Sequence, residues 1–100
     1  MFGAAKIHHV AIICSDYVRS KHFYTEILGF EVIEETYREA RGSYKLDLCV
    51  GPNQIELFSF PNPPARVSNP EACGLRHLAF EVDDVVAVLN YLRSLNVEAE

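Results

Sequence analysis

The chain repeats one pattern at an offset of 68 residues, and this repeat constrains the fold more than any other feature. The segment HVAIICSD at 9–16 is echoed by HLAFEVDD at 77–84, and in each copy the aspartate follows the histidine by seven positions. An apolar stretch with helical spacing follows each aspartate and ends near Gly29 in the first copy and near Asn96 in the second. The pattern predicts one strand and helix unit used twice, with a histidine on the strand of each copy.

The spacing of apolar residues predicts a βαβββ order for residues 1–60. Strands are expected at 7–13, 30–37, 44–50 and 54–60, and apolar residues alternate with polar ones most clearly in 44–50 and 54–60. Between the first two strands a helix is expected to run from an N-cap at Ser15 or Asp16 to about Leu28, with Gly29 in the left-handed position after it.

A linker and a second, shorter module are expected after residue 60. Residues 61–74 contain four of the five prolines and no apolar periodicity, which is typical of a linker. From residue 75 the repeat predicts a strand over 76–82 and a helix capped by Asp83 or Asp84. Three further strands would complete this copy, so the sequence predicts a single domain over 1–100 whose second module, 75–100, is incomplete.

Composition excludes several classes of partner. Fourteen acidic residues against nine Lys and Arg give a net charge of −5, which argues against nucleic acid or an anionic membrane surface. No apolar run approaches the roughly 20 residues that span a bilayer, and no signal peptide is recognisable at the start. Cys14, Cys49 and Cys73 lack the spacing of a disulfide framework or a zinc knuckle. A cytoplasmic protein with reduced thiols is expected.

Three polar residues on predicted strands are candidate ligands for a divalent metal. His9, Glu56 and His77 each lie on the strand face opposite to the apolar one, so we expect them together on one side of a sheet. Imidazole nitrogens and a carboxylate suit Zn, Ni, Co, Mn or Fe, and leave coordination positions open for substrate. The spacing to Asp16 selects His9 over His8, which is expected to point toward the helix layer. His22 is expected on the solvent side of the first helix.

The residues carry a resemblance to a known superfamily. The segments 8–12, 16–30, 55–57 and 76–80 resemble the vicinal oxygen chelate superfamily, which includes glyoxalase I, bleomycin-resistance proteins and extradiol dioxygenases. The segments 37–41, 56–61 and 70–77 resemble its YaeR-like, glyoxalase-related branch. The resemblance implies an α+β fold in which paired βαβββ modules form a half-open barrel around one divalent metal, and a homodimer as the assembly.

The same resemblance implies the roles of particular residues. His9, Glu56 and His77 match three of the superfamily's four metal-ligand positions, and the fourth is a glutamate on a strand that the chain does not reach. Glu56 is the expected catalytic base. In glyoxalase I an arginine and an asparagine hold glutathione at the positions of Ile13 and Phe60 here. Both residues are apolar in this chain, so a different thiol cofactor or a different oxygenated substrate stays open.

The function expected from these observations is a metal-dependent lyase or isomerase of glyoxalase type. Its substrate would be a small α-oxygenated molecule, either an α-ketoaldehyde adduct or a hydroxy or keto acid. Two alternatives stay open: a non-catalytic module that binds a small molecule or confers resistance, and an Fe(II) dioxygenase of extradiol type. The candidate substrate-binding residues are Arg38, Arg41, Phe58, Phe60 and Arg76.

Overall fold

A four-stranded mixed sheet forms the first part of the chain. The computed structural model describes residues 2–99, so Met1 and Glu100, the ends of the predicted domain, lie outside the described residues. The strands are β1 His9–Cys14, β2 Glu31–Arg38, β3 Ser43–Val50 and β4 Asn53–Ser59. Their order across the sheet is β1-β4-β3-β2; β1 runs parallel to β4, and the other pairs are antiparallel. The predicted βαβββ order of this module is confirmed.

The helix between β1 and β2 begins and ends as its sequence predicts. Helix α1, Tyr17–His22, has Asp16 as N-cap, and the Asp16 carboxylate accepts a hydrogen bond from the Arg19 N–H at 3.1 Å. The helix continues as a π-helical turn, Phe23–Ile27, which the sequence pattern did not predict. Gly29 then adopts a left-handed φ of 74°, which glycine reaches without steric cost.

Alternation along the central strands separates two faces of the sheet. Leu46, Leu48 and Leu57 are fully buried, and Ile55 is 3% exposed. Partly buried residues of β1 and of the helical segment, among them Ile12, Tyr17 and Tyr24, pack against this cluster. This side is the helix face. The residues that alternate with the buried ones along β3 and β4 lie on the opposite side of the sheet, which we call the donor face.

The chain divides into two compact units, Met1–Pro64 and Ala65–Glu100. The second unit contains one helix, α2 Val85–Ser94, whose N-cap is Asp84. The Asp84 carboxylate accepts from the Ala87 N–H at 3.0 Å, as Asp16 does for α1. Asn96, where the repeat predicts the end of the helix, has a left-handed φ of 59°.

The strand predicted over 76–82 is absent from the described part of the chain. These residues carry no assigned secondary structure and are exposed. A strand needs hydrogen bonds to a neighbouring strand, and the described residues of the second unit contain a helix but no strand that could pair with this segment. The prediction of a strand here, and with it the placement of His77 on a strand, is wrong for the described residues.

Across residues 2–99 we find no helix long and apolar enough to cross a membrane.

Candidate functional site

The pairing of β1 with β4 brings His9 and Glu56 together on the donor face. In the parallel register His9 lies opposite Gln54, and Ala11 lies opposite Glu56. The imidazole of His9 reaches two register positions along the strands, so that its Nε2 lies 2.8 Å from Glu56 Oε2. The His9 side chain is 44% exposed and that of Glu56 is 15% exposed. Two of the three predicted ligands are thus direct neighbours.

The ring of His9 is held from its other side by His8. The two Nδ1 atoms are 2.9 Å apart, and the rings meet edge to face with centroids 5.1 Å apart. The prediction that His8 points toward the helix layer is wrong, because His8 precedes the first residue of β1 and is not bound by the alternation of that strand. The contact engages Nδ1 of His9 and leaves Nε2 directed at Glu56.

The second oxygen of Glu56 belongs to an ion-pair network with β3. Lys45 Nζ lies 3.3 Å from Glu56 Oε1 and 3.3 Å from Asp47 Oδ1. The three side chains share the donor face because Asp47 is the register partner of Glu56. Hydrogen bonds to Glu56 and then to Asp47 raise the pKa of Lys45, so its ammonium stays charged. Glu56 is therefore held between a histidine and a lysine.

The donor chemistry of the His9 and Glu56 pair fits a divalent metal. An imidazole nitrogen and a carboxylate oxygen that converge on one point are ligands that Zn, Mn, Ni, Co and Fe accept. Engagement of the other ring nitrogen of a ligand histidine, here by His8, is the usual support of such a site. Among residues 2–99 the structure contains no group of three or more His, Cys, Asp or Glu side chains that could hold a metal ion.

The other predicted ligand, His77, lies in the second unit. It is exposed and belongs to the extended segment before α2. The first unit therefore holds two of the three predicted ligands, the second unit holds one, and the role of His77 stays a prediction.

Two of the predicted substrate-binding residues lie beside Glu56. Phe58 follows it on β4 and Phe60 comes directly after the end of that strand; their rings are nearly parallel, with an interplanar angle of 5° and centroids 6.0 Å apart. Ile13 is the register partner of Phe58 on β1 and is 61% exposed. An apolar surface thus adjoins the donor pair where the resemblance places the glutathione contacts of glyoxalase I.

The three predicted arginines occupy exposed positions. Arg38 ends β2, and Arg41 lies in the 3₁₀ turn Glu39–Arg41 between β2 and β3. In the second unit Arg76 Nε donates to Glu71 Oε1 at 2.6 Å, so its guanidinium already has a carboxylate partner. Their roles in substrate binding stay predictions.

Sequence reasoning missed a second polar cluster, which lies on the helix face. Tyr17 Oη donates to Glu35 Oε2 at 2.5 Å, and Lys21 Nζ donates to the same oxygen at 2.8 Å. They line a cavity of about 420 Å³ between the helical segment and strands β2 and β3. Burial and, next, the bond to Glu35 raise the pKa of Tyr17, while the bonds from Lys21 and then from Tyr17 lower the pKa of Glu35. Glu35 lies on β2, far from α1 in sequence, so only the packing of α1 on the sheet reveals this cluster.

Comparison with known proteins identifies the family to which the chain is similar. The family model of the glyoxalase/bleomycin resistance protein/dioxygenase superfamily matches residues 6–100. The chain is 58% identical to the uncharacterized protein YaeR of Escherichia coli strain K12 over 101 residues, which cover the whole of this chain and 78% of YaeR. It is 60% identical to the uncharacterized protein YwkD of Bacillus subtilis strain 168 over 95 residues, 94% of this chain and 74% of YwkD.

A third relative is named for an enzymatic activity, and a solved structure matches the fold of this chain. The chain is 34% identical to a 2-epi-5-epi-valiolone epimerase of an Actinomyces species over 109 residues, 92% of this chain and 60% of the epimerase. The crystal structure of a glyoxalase family protein from Enterococcus faecalis matches with a TM-score of 0.88 and 47% identity, over 98% of this chain and 77% of that one. The solved structure agrees with the family model.

Proposed function

Because the chain belongs to the glyoxalase/bleomycin resistance protein/dioxygenase superfamily, we propose that it is a divalent-metal-dependent lyase or isomerase of glyoxalase type. Its substrate is a small α-oxygenated molecule, either an α-ketoaldehyde adduct or a hydroxy or keto acid. One observation carries the proposal: the 2.8 Å contact between His9 Nε2 and Glu56 Oε2 on one face of the sheet. A nitrogen and a carboxylate oxygen held at one point form the core of an open metal site.

His9, Glu56 and His77 are the residues proposed to hold the metal. When bound, a divalent metal supplies Lewis-acid chemistry, which acidifies a C–H bond beside an oxygenated carbon. Glu56 is the proposed general base, because its carboxylate can accept that proton and return it to carbon. The contact of Lys45 with Oε1 supports this role, since it holds one carboxylate oxygen while the other faces His9.

The finer architecture belongs to the same proposal. We infer that the βαβββ module pairs with a second module to form a half-open barrel, and that the protein is a homodimer. The matched N-caps at Asp16 and Asp84 support the duplication. The relative named as an epimerase supports an isomerisation, because epimerisation inverts a carbon centre and commonly proceeds by removal and return of a proton.

Metal binding is the first test of the proposal. The purified protein would be loaded in turn with Mn²⁺, Ni²⁺, Co²⁺ and Zn²⁺, and the affinity measured by titration calorimetry with elemental analysis of the dialysed sample. We expect one metal per chain, and weakening of at least about tenfold in His9→Ala, Glu56→Gln and His77→Ala, because each removes a donor atom. His22→Ala is the matched control, since His22 lies exposed at the end of α1, outside the donor face.

Turnover of α-ketoaldehyde thiohemiacetals and of α-hydroxy acids by the loaded protein is the second test. Equal metal affinity in His9→Ala and His22→Ala would contradict the metal site. Retention of iron with oxygen uptake on catechols would favour the dioxygenase, and ligand binding that survives His9→Ala and His77→Ala would favour the binding module.

A further inference from the structure

The donor face continues from the His9 and Glu56 pair onto an apolar shelf, which consists of Ile13, Phe58 and Phe60. Ile13 and Phe58 are register partners on β1 and β4. Phe60 follows Phe58 by two residues, and the two rings lie almost parallel at 6.0 Å. The three side chains therefore form one surface on the same side of the sheet as the donor pair.

The shelf lies close enough to the donor pair for a small substituent on a bound molecule to reach it. Phe58 follows Glu56 by two residues on β4, which corresponds to roughly 6.6 Å along an extended strand. A molecule with its oxygens at Glu56 and His9 would place a neighbouring ring or branched chain over Phe58. Flat aromatic rings stack favourably on such a surface.

The charges beside the shelf disfavour an anionic substituent. Lys45 is the register partner of Phe58, but its ammonium is shared by the carboxylates of Asp47 and Glu56. Because both carboxylates already pair with it, the Lys45 ammonium is not free to receive a second carboxylate of the substrate. This argues against a carboxylate-bearing group, such as either end of glutathione, as the group that covers the shelf.

We propose that the substrate carries an apolar, preferably aromatic, group directly beside its oxygenated carbons, and that Ile13, Phe58 and Phe60 select this group. The inference rests on the proposed function, because the oxygenated end must bind at His9 and Glu56. It assigns to these residues a specificity role in place of the polar contacts that glyoxalase I makes at two of the three positions.

Three acids with the same oxygenated end and different substituents test the selection. Mandelate carries a phenyl group, lactate a methyl group and malate a second carboxylate. Their affinities for the Mn²⁺-loaded protein would be measured by titration calorimetry. Because burial of an aromatic group is worth more than burial of a methyl group, we expect mandelate to bind about tenfold more tightly than lactate. Malate is expected to bind most weakly.

Variants of the shelf residues connect the preference to the surface. Phe60→Ala should reduce the ratio of mandelate to lactate affinity by about fivefold or more, and Ile13→Arg should move the preference toward malate. Phe58→Leu keeps an apolar side chain in the sheet and should lower the same ratio, which separates lost stacking from lost folding. Val18→Ala is the control, because Val18 is a 79% exposed apolar residue on α1.

The outcomes separate this inference from the proposed function. Equal affinities for mandelate and lactate on a protein that binds Mn²⁺ would overturn the shelf assignment and leave the metal site intact. A change in oligomeric state of Phe60→Ala, with no change in the affinity ratio, would identify the shelf as a protein contact and overturn the assignment too. Failure to bind Mn²⁺ at all would overturn the proposed function, and this inference with it.

Discussion

The two faces of the sheet contrast although they are built from the same strands. On the helix face Leu46, Leu48 and Leu57 are fully buried. On the donor face their chain neighbours Lys45 and Glu56 keep side chains that are 25% and 15% exposed and joined in ion pairs. Because successive side chains point to opposite sides of a strand, adjacent residues serve stability and chemistry separately. The two properties should therefore respond to different substitutions.

The largest expected effect is the difference in stability between substitutions at the chain neighbours Leu57 and Glu56. Leu57→Ala should reduce the free energy of unfolding by about 2–5 kcal/mol, because it leaves a cavity in a fully buried cluster. Glu56→Gln should change it by about 1 kcal/mol or less, since a polar group of the same shape replaces a partly exposed one. Urea unfolding of the metal-free variants measures both. Similar losses in the two variants would break the proposed separation of the faces.

A smaller effect is expected from His8, which supports the donor face from outside the strand. His8→Ala should weaken metal binding by about tenfold, because His9 loses the partner that orients its ring. The unfolding midpoint should stay close to that of the wild-type protein, since His8 is exposed. Titration calorimetry with His22→Ala as control makes the comparison. An unchanged affinity in His8→Ala would assign no role to the contact between the two rings.

The smallest effect concerns the edge of the helix face, where β2 carries a charged residue. Glu35→Gln removes the negative charge that receives the bonds from Tyr17 and Lys21, and it should cost about 0.2–1 kcal/mol at neutral pH, the range of exposed ion pairs. The pKa of Glu35 lies below its ordinary value near 4.5 in the folded protein, so its stabilisation is present above that value. It is lost as the pH falls through the lowered pKa.

Thermal unfolding of the wild-type protein and of Glu35→Gln from pH 7 to pH 3 checks this sign. The difference between the two midpoints should be largest at neutral pH and should close below about pH 4.5, as the Glu35 carboxyl becomes protonated. A difference that grows toward acid pH would show that another group dominates.

Much of the first module was predictable because its signals are local. All four strands were predicted, β3 and β4 from a clear alternation of apolar and polar residues, and Asp16 and Gly29 marked the two ends of the helical segment. The π-helical turn was not predictable from apolar spacing, which does not distinguish it from an α-helix of the same length. The bond from Leu28 N–H to the Phe23 carbonyl, at 2.9 Å, reveals it in the structure.

The candidate site was predictable in part. Alternation assigned His9 and Glu56 to the correct face of their strands, whereas their contact required the parallel register of β1 with β4. Lys45 and Asp47 did not stand out in the sequence because charged residues on an alternating strand usually face solvent. The register that puts Asp47 opposite Glu56 gives them partners. His8 was assigned to the wrong side because the alternation was extended beyond the first residue of the strand.

The two copies of the repeat show what the sequence by itself determined and what only the tertiary structure decided. Both aspartates cap their helices in the same way, at 3.1 Å and 3.0 Å, because a cap needs only a side chain and the backbone three residues ahead. The strands differ: residues 9–14 pair with β4, while residues 76–82 form no strand in the described part of the chain. Helix ends depend on neighbours in sequence and are determined locally, whereas a strand exists only where the fold supplies another strand to receive its hydrogen bonds.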